Sequence, residues 1–254
     1  MAKKIAEIKD EFANSNSRDW NDLIEKYSSD ERSGVQNIIK SYKKKIEFFE
    51  NEKIRLKKMR EFEDKYIEEY PIICGIDEAG RGPLAGPVVA GAVILPPDCD
   101  IMYLNDSKKI NAKKREELYD EIIDKAVAIG IGISSPKRID EINILQATYE
   151  AMRHAIEDLN TVPDMLLNDA VVIPEVPIKQ VGIIKGDARS LSIAAASIIA
   201  KVTRDRIMIN YADEYPVYGF EVHKGYGTKA HIEAIKSKGI CEIHRRTFVK
   251  NFIR

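Results

Sequence analysis

IICGIDEAGRGPLAGPVVAGAVIL, residues 72–95, is an apolar run that ends in adjacent acids, breaks into glycines and resumes as a second apolar run. Ile72, Ile73 and Ile76 supply the β-branched bulk of a half-buried strand, so the segment reads as strand, acidic pair, tight turn, strand. Gly80, Gly82 and Gly86 permit backbone approaches that a Cβ forbids. Asp77 and Glu78 at a strand end repel each other unless something cationic shares the site. A turn could use one such acid as a cap, but a pair followed by Gly-Arg-Gly points to a metal or phosphate site. The spacing Gly80-x-Gly82-x-x-x-Gly86, with Pro83 inside and a strand after it, departs from a dinucleotide fingerprint, which opens a helix. No GxxxxGK followed by Ser or Thr occurs, which removes the P-loop.

Upstream, residues 1–70 have a different texture, with Gly34 as the one glycine and no proline. Apolar residues recur at helix spacing in three stripes: Ile5, Ile8 and Phe12; Trp20, Leu23, Ile24 and Tyr27; then Val35 through Met59. The third stripe is nearly a heptad, but Lys45 and Glu52 fall on apolar positions, which argues for a helical hairpin or small bundle over a coiled-coil dimer. Lys40 to Arg60 carries nine basic residues against Glu47, Glu50 and Glu52, either a solvated helix face or one that tracks a phosphate backbone. Pro71 is expected to close this extension, giving a helical region 1–70 and a main domain 71–254.

Downstream, Asn111 reads as an N-cap for a helix through Leu118, Ile122 and Ile123. Lys108, in Asn105-Asp106-Ser107-Lys108 just before it, suits a phosphate and equally a plain capping loop. Ala128 to Ser134 alternates as a strand, and Ile144 to Leu159 has helical spacing. Two further apolar runs repeat the opening theme, one entering Asn168-Asp169 and one passing Lys185-Gly186 into Asp187. In an open α/β sheet such strand ends lie together, so Asp77, Glu78, Asp169 and Asp187 are expected to converge. The helix after Asp187 has small residues at Ala194, Ala195, Ser197 and Ala200 that would let it press on the sheet, and Leu191, Ala195, Ile198, Ile199 and Val202 read as core. Tyr226 stands between two glycines among lysines, where it either packs under the next helix or faces a ligand. His154, His223, His231 and His244 show no triad-like or zinc-binding grouping.

The chain of 254 residues, 44% hydrophobic with net charge −1, can bury a sizeable core and has no global basic excess, so any nucleic-acid contact must be local. Three dispersed cysteines fit a reducing, cytoplasmic setting, and no apolar run is long enough to span a bilayer. Four carboxylates without imidazole or thiolate partners favour Mg²⁺ or Mn²⁺ and metal-assisted phosphoryl chemistry on an anionic polymer.

The segments GIDEAGRGPLAGPVVAGAVIL, NDSKK, KGDARS with AAASIIAKVTRDR, and HKGYGTKAH, in this order, resemble bacterial ribonuclease HII, the type 2 ribonuclease H, over residues 71–249. The resemblance implies an α/β, ribonuclease H-like mixed sheet flanked by helices, preceded here by the helical extension. It implies an enzyme that cleaves the RNA strand of RNA/DNA hybrids and incises ribonucleotide-containing duplex DNA on the 5′ side of the ribonucleotide; a monomer is expected. By motif, Asp77, Glu78, Asp169 and Asp187 match the family's metal-binding catalytic acids, with Mn²⁺ or Mg²⁺ as cofactor. Asp169 is matched through its strand and acid alone. Gly80-Arg81-Gly82 and Tyr226 match the elements that read the ribonucleotide; Lys108 is expected beside them as a substrate contact from its place before the helix start, not from the resemblance. Gly-Arg-Gly and a helical extension also separate the chain from ribonuclease HIII, which usually carries Gly-Lys-Gly and a β-containing N-terminal domain. A hybrid-binding protein without chemistry would gain by losing the acids, and a phosphatase or DNA-directed nuclease would have no use for the Gly-Arg-Gly and Tyr226 pair.

Overall fold

The computed structural model describes residues 3–253. In chain order its elements are α1 (Ile5–Asn14), α2 (Trp20–Lys26), α3 (Ser33–Met59), α4 (Glu61–Tyr66), β1 (Ile73–Ala79), β2 (Val88–Ile94), α5 (Ala112–Lys125), β3 (Ala128–Ser134), α6 (Pro136–Glu157), β4 (Met165–Asp169), β5 (Lys179–Ile183), α7 (Leu191–Glu214), α8 (Phe220–His223), α9 (Lys229–Lys238) and α10 (Arg246–Val249). The chain divides into two compact units, Met1–Lys57 and Lys58–Arg254.

In the first unit, Ile8, Phe12, Ile24, Val35, Ile39 and Tyr42 from three helices form one core. The two polar residues that interrupt the heptad are absorbed locally. Lys45 lays its ammonium 4.1 Å from the Tyr42 ring centre, and buried Glu52 pairs with Arg55 at 2.6 Å.

The second unit is built on a five-stranded mixed sheet in the order β3-β2-β1-β4-β5. β1 runs antiparallel to β2 and parallel to β4, and β4 runs parallel to β5. One face, with Cys74, Ile76, Val88, Ala90, Ala92 and Ile94, packs on Ala147, Ala151, Met152 and Ala155 of α6. The other face meets α7 so closely that a Cβ on Gly75 would lie 2.0 Å from the Ser192 carbonyl carbon, and one on Gly91 2.6 Å from the Ala196 oxygen. The helix presses on the sheet as expected, but through the backbone at Ser192, Ile193, Ala196 and Ala200; of the small face read from sequence only Ala200 is among these contacts, because the i, i+4 row that meets the two glycines starts at Ser192.

Two boundaries differ from the sequence expectation. α6 begins at Pro136, not Ile144, because two helices join across Asn143, whose φ of 67° breaks the first and whose side chain caps the second through the Leu145 and Gln146 amides. The division between units falls before Pro71. Phe62, Tyr66, Ile67 and Tyr70 pack with Ile73, Met165, Leu167, Ile183 and Ile193, so α4 belongs to the sheet's core.

Candidate active site

Because β1, β4 and β5 are parallel, their carboxyl ends meet at one edge of the sheet. Ile76 pairs with Asn168, which sets Asp77 beside Asp169 one residue on. Asp169 Oδ1 accepts from the Gly186 amide at 2.7 Å, tying the end of β4 to the tight helical turn 186–188 that carries Asp187. Burial raises the Asp77 carboxyl well above its ordinary value, and the charges of Glu78 and Asp169 add to this against hydrogen bonds from Ser197 and the Glu78 amide. Burial likewise raises Glu78, moderated by Arg81, whose Nη1 lies 3.2 Å from Glu78 Oε1. Asp187 is raised by burial and then by Asp106 and Asp169. For Lys108, burial alone would lower the ammonium, but Asp106, Asp77, Asp187 and Asp169 together hold it above its ordinary value. The sequence-predicted acids thus share one electrostatic neighbourhood with Lys108 inside it.

A cleft of about 320 Å³ opens above this neighbourhood, lined by Glu78, Gly80, Arg81, Gly82, Ser107, Lys108, Ser197, Lys201 and Tyr226. Tyr226 is 43% exposed, which favours the ligand-facing alternative for its ring. Gly80 and Gly82 differ in what demands them. Gly80 has φ +98°, and a Cβ there would lie 2.1 Å from Arg204 Nε, so the fold itself requires glycine. At Gly82 a Cβ would meet nothing within 4 Å, so the fold itself does not demand glycine there and the backbone stays open to the cleft.

Among the described residues no three His, Cys, Asp or Glu side chains stand in an arrangement that could hold a metal ion. The fit rests on donor chemistry. The set is all carboxylate oxygen, and burial raises Asp77, Glu78 and Asp187, with neighbouring carboxylates adding to the rise; crowded, half-desolvated carboxylate oxygens suit a hard divalent cation.

Several residues of the site were not singled out from sequence. Asp106 lies within the NDSKK segment, where only the lysine drew notice, yet it bears on both Asp187 and Lys108. Ser197 has only its small size to mark it in the sequence; its hydroxyl bears on Asp77 and lies 2.9 Å from Ser107 Oγ. Among the described residues the histidines show no zinc-binding or triad-like grouping in the structure either, but three of the four come together in a way no sequence motif signals. His223 and His231 stack with ring centres 4.4 Å apart, and His231 Nε2 lies 3.1 Å from His244 Nε2. The Tyr226 carbonyl, 2.9 Å from His231 Nδ1, must accept, so Nδ1 carries the proton and Nε2 is bare. His244 then donates from Nε2 and accepts the Cys241 amide at Nδ1, 3.0 Å away. Two neutral imidazoles therefore anchor the backbone of Tyr226. Their separation by 13 residues, across α9, hides the pairing from any local motif.

Against known proteins, the family model described as Ribonuclease HII matches residues 74–251, and the one described as Ribonuclease HII N-terminal domain matches residues 4–67. A curated ribonuclease HII of Lachnoclostridium phytofermentans is 56% identical over 99% of this chain and 98% of its own length. One of Acetivibrio thermocellus is 57% identical over 86% of each. Among solved structures, ribonuclease H2 from Pyrococcus horikoshii OT3 aligns with TM-score 0.60 and 30% identity over 71% of this chain and 96% of that one. The Aquifex aeolicus RNase H3, at 19% identity and TM-score 0.52 over 69% of this chain and 72% of that one, shares the fold.

Proposed function

The chain belongs to the ribonuclease HII family, and from that premise we propose that it cleaves the RNA strand of RNA/DNA hybrids and incises duplex DNA on the 5′ side of a lone embedded ribonucleotide. The observation that carries this reading is the single cleft that joins the edge of the carboxylate cluster to Gly80-Arg81-Gly82 and Tyr226. Telling RNA from DNA requires sensing a 2′-OH at close range, and the open space at Gly82 allows a ribose to approach the backbone there. The exposed Tyr226 ring is placed to stack on the following deoxyribose, where a 2′-OH would obstruct it. Arg81, Lys108 and Lys201 line the same cleft and attract the phosphates.

Asp77, Glu78, Asp169 and Asp187 would hold the divalent cations, Mn²⁺ or Mg²⁺. When bound, these ions supply an activated water and stabilise the leaving oxygen. Water adds to phosphorus, the P–O3′ bond breaks, and the products carry a 3′-OH and a 5′-phosphate. Gly186 and Ser197 keep Asp169 and Asp77 oriented while the substrate enters. Such incision initiates removal of ribonucleotides from DNA. We place the enzyme in the cytoplasm as a monomer; among the described residues no helix is long and apolar enough to cross a membrane.

The test is a labelled duplex with one ribonucleotide, incubated with and without Mn²⁺ or Mg²⁺. Cleavage 5′ of the ribonucleotide is expected only with metal, and Asp77→Asn or Asp187→Asn should lower turnover by about 10³-fold or more while leaving hybrid binding intact. Near-normal turnover in either variant removes the site assignment. If long hybrids are degraded while the single ribonucleotide is left uncut, a ribonuclease HIII-like specificity replaces the one proposed.

A further inference from the structure

Two arginines, Arg204 on α7 and Arg245 just before α10, are fully buried, and neither forms an ion pair among the described residues. Their donors go to backbone carbonyls. Arg245 donates from Nη2 to Gly80 O at 2.5 Å and Pro87 O at 3.2 Å, from Nη1 to Arg81 O at 2.8 Å, and from Nε to Gly86 O at 2.9 Å. Arg204 donates from Nε to Pro87 O at 3.0 Å, from Nη2 to Ala85 O at 3.1 Å and from Nη1 to Lys224 O at 3.0 Å. Together they fix both the 80–87 loop and the segment that leads into Tyr226. Burying an uncompensated guanidinium is costly, and two beside each other more so; burial and the Arg204 charge push Arg245 down to about 9, still protonated at neutral pH.

The pattern of accepted carbonyls has a geometric consequence. All described peptide bonds are trans, so the carbonyl of one residue and the N–H of the next point in opposite directions. With Gly80 O and Arg81 O aimed inward at Arg245, the amides of Arg81 and Gly82 aim the other way. Both residues are exposed, both line the cleft, and neither amide donates to an acceptor among the described residues. Two successive outward amides make a concave donor pair for one oxygen.

We propose that Arg245, braced by Arg204, is the positioning residue for ribose recognition: by holding the Gly80 and Arg81 carbonyls it presents the Arg81 and Gly82 amides as a fixed pair of donors to the ribonucleotide's 2′-oxygen. The inference rests on the proposed ribonucleotide-directed activity. It adds that selectivity for ribose is set from inside the protein, by groups that never touch the substrate. Lysine cannot replace either arginine, since a point ammonium lacks the fork that spans four carbonyls at Arg245 and three at Arg204. Arg204 sets the distance between the amide pair and Tyr226, because it joins Ala85 and Pro87 to Lys224.

The experiment measures binding on the full chain carrying Asp77→Asn, so that substrate survives, with two duplexes that differ only in a ribo- or deoxynucleotide at one position. Arg245→Lys is expected to reduce the ribo-over-deoxy Kd ratio at least 10-fold, toward unity, with most of the loss in ribo affinity. Gly82→Ala, whose Cβ meets no protein atom within 4 Å, should leave the melting temperature unchanged and also reduce the ratio by obstructing the amide pair. An Arg245→Lys chain that melts lower but keeps the full ratio overturns the proposal, leaving the arginine a purely structural donor. Should Arg245→Lys fail to fold, a Gly82→Ala chain that keeps its ratio overturns it equally. If the parent chain itself shows no ribo preference, and the unmutated enzyme leaves the ribonucleotide duplex uncut, the functional reading fails instead.

Discussion

At the residue scale, the acids were legible and the groups that brace them were not. Asp77, Glu78, Asp169 and Asp187 each follow an apolar run, and a parallel sheet turns that pattern into proximity. His244 had no such signature, because its partners His231 and Cys241 lie on either side of a loop turn that only the fold closes. Burial, then the neighbouring His231, pushes the His244 imidazole down to about 4, and His231 is lowered for the same first reason. His223, Cys241 and Tyr218 surround the pair. An unfolded chain would protonate His244 near pH 6.5, so between about 6.5 and 4 the unfolded state binds a proton that the folded state refuses. Its contribution is therefore complete above pH 6.5 and is lost as the pH falls toward 4. Asp77, Glu78 and Asp187, all raised, act with the opposite sign over the acid range, so the histidine effect must be isolated by difference. The stability gap between the unmutated protein and His244→Gln should shrink by about 2 kcal/mol between pH 7.5 and pH 5. Urea melts at the two pH values measure it, and a gap that does not change with pH would show that His244 is not held neutral.

At the element scale, the strands and the long helices followed from periodicity, since β3 and the cap at Asn111 fall where alternation and capping chemistry put them. α4 did not, because its role depends on a contact 127 residues away. Glu63 Oε1 accepts the Ser190 hydroxyl at 2.6 Å and the Ser192 amide at 2.9 Å, so a carboxylate from one helix caps the first turn of α7. That turn follows directly on the segment carrying Asp187 and presses Ser192 against Gly75. A negative group at a helix N-terminus offsets the orphan amides and the dipole, and here it is 8% exposed. Glu63→Ala should cost about 2 kcal/mol, since it strands two buried donors. It should weaken metal-dependent cleavage less than Asp187→Asn, because the acids stay in place. A melting temperature equal to that of the unmutated protein would mean that water replaces the carboxylate without loss.

At the scale of the whole molecule, composition pointed to an extension and Pro71 to its end, yet compactness divides the chain at Lys57 and Lys58. The reason is that Phe62, Tyr66, Ile67 and Tyr70 have apolar partners in the sheet's core, which a sequence reading cannot weigh against a proline. Two truncations separate these boundaries. Removing residues 1–57 should leave a folded, metal-dependent nuclease, whereas removing residues 1–68 also deletes Glu63, Phe62, Tyr66 and Ile67 and should lower stability by several kcal/mol, on the order of one large buried side chain plus a cap. The first truncation also reports on the basic segment. Of its nine cations, Lys45 sits over an aromatic ring, and Arg55 and Arg60 pair with Glu52 and Asp64. Lys40, Lys43, Lys44, Lys53 and Lys57 are exposed and lie within the removed residues, with Glu47 and Glu50 between them. Each lysine that meets a phosphate steepens the dependence of log affinity on log salt by about one. If this face follows the backbone of the hybrid, the 58–254 chain should bind more weakly at low salt with a slope shallower by at least about one, and the two proteins should converge as salt rises. Equal slopes, measured on the same hybrid, would leave the face as a solvated helix surface with no part in binding.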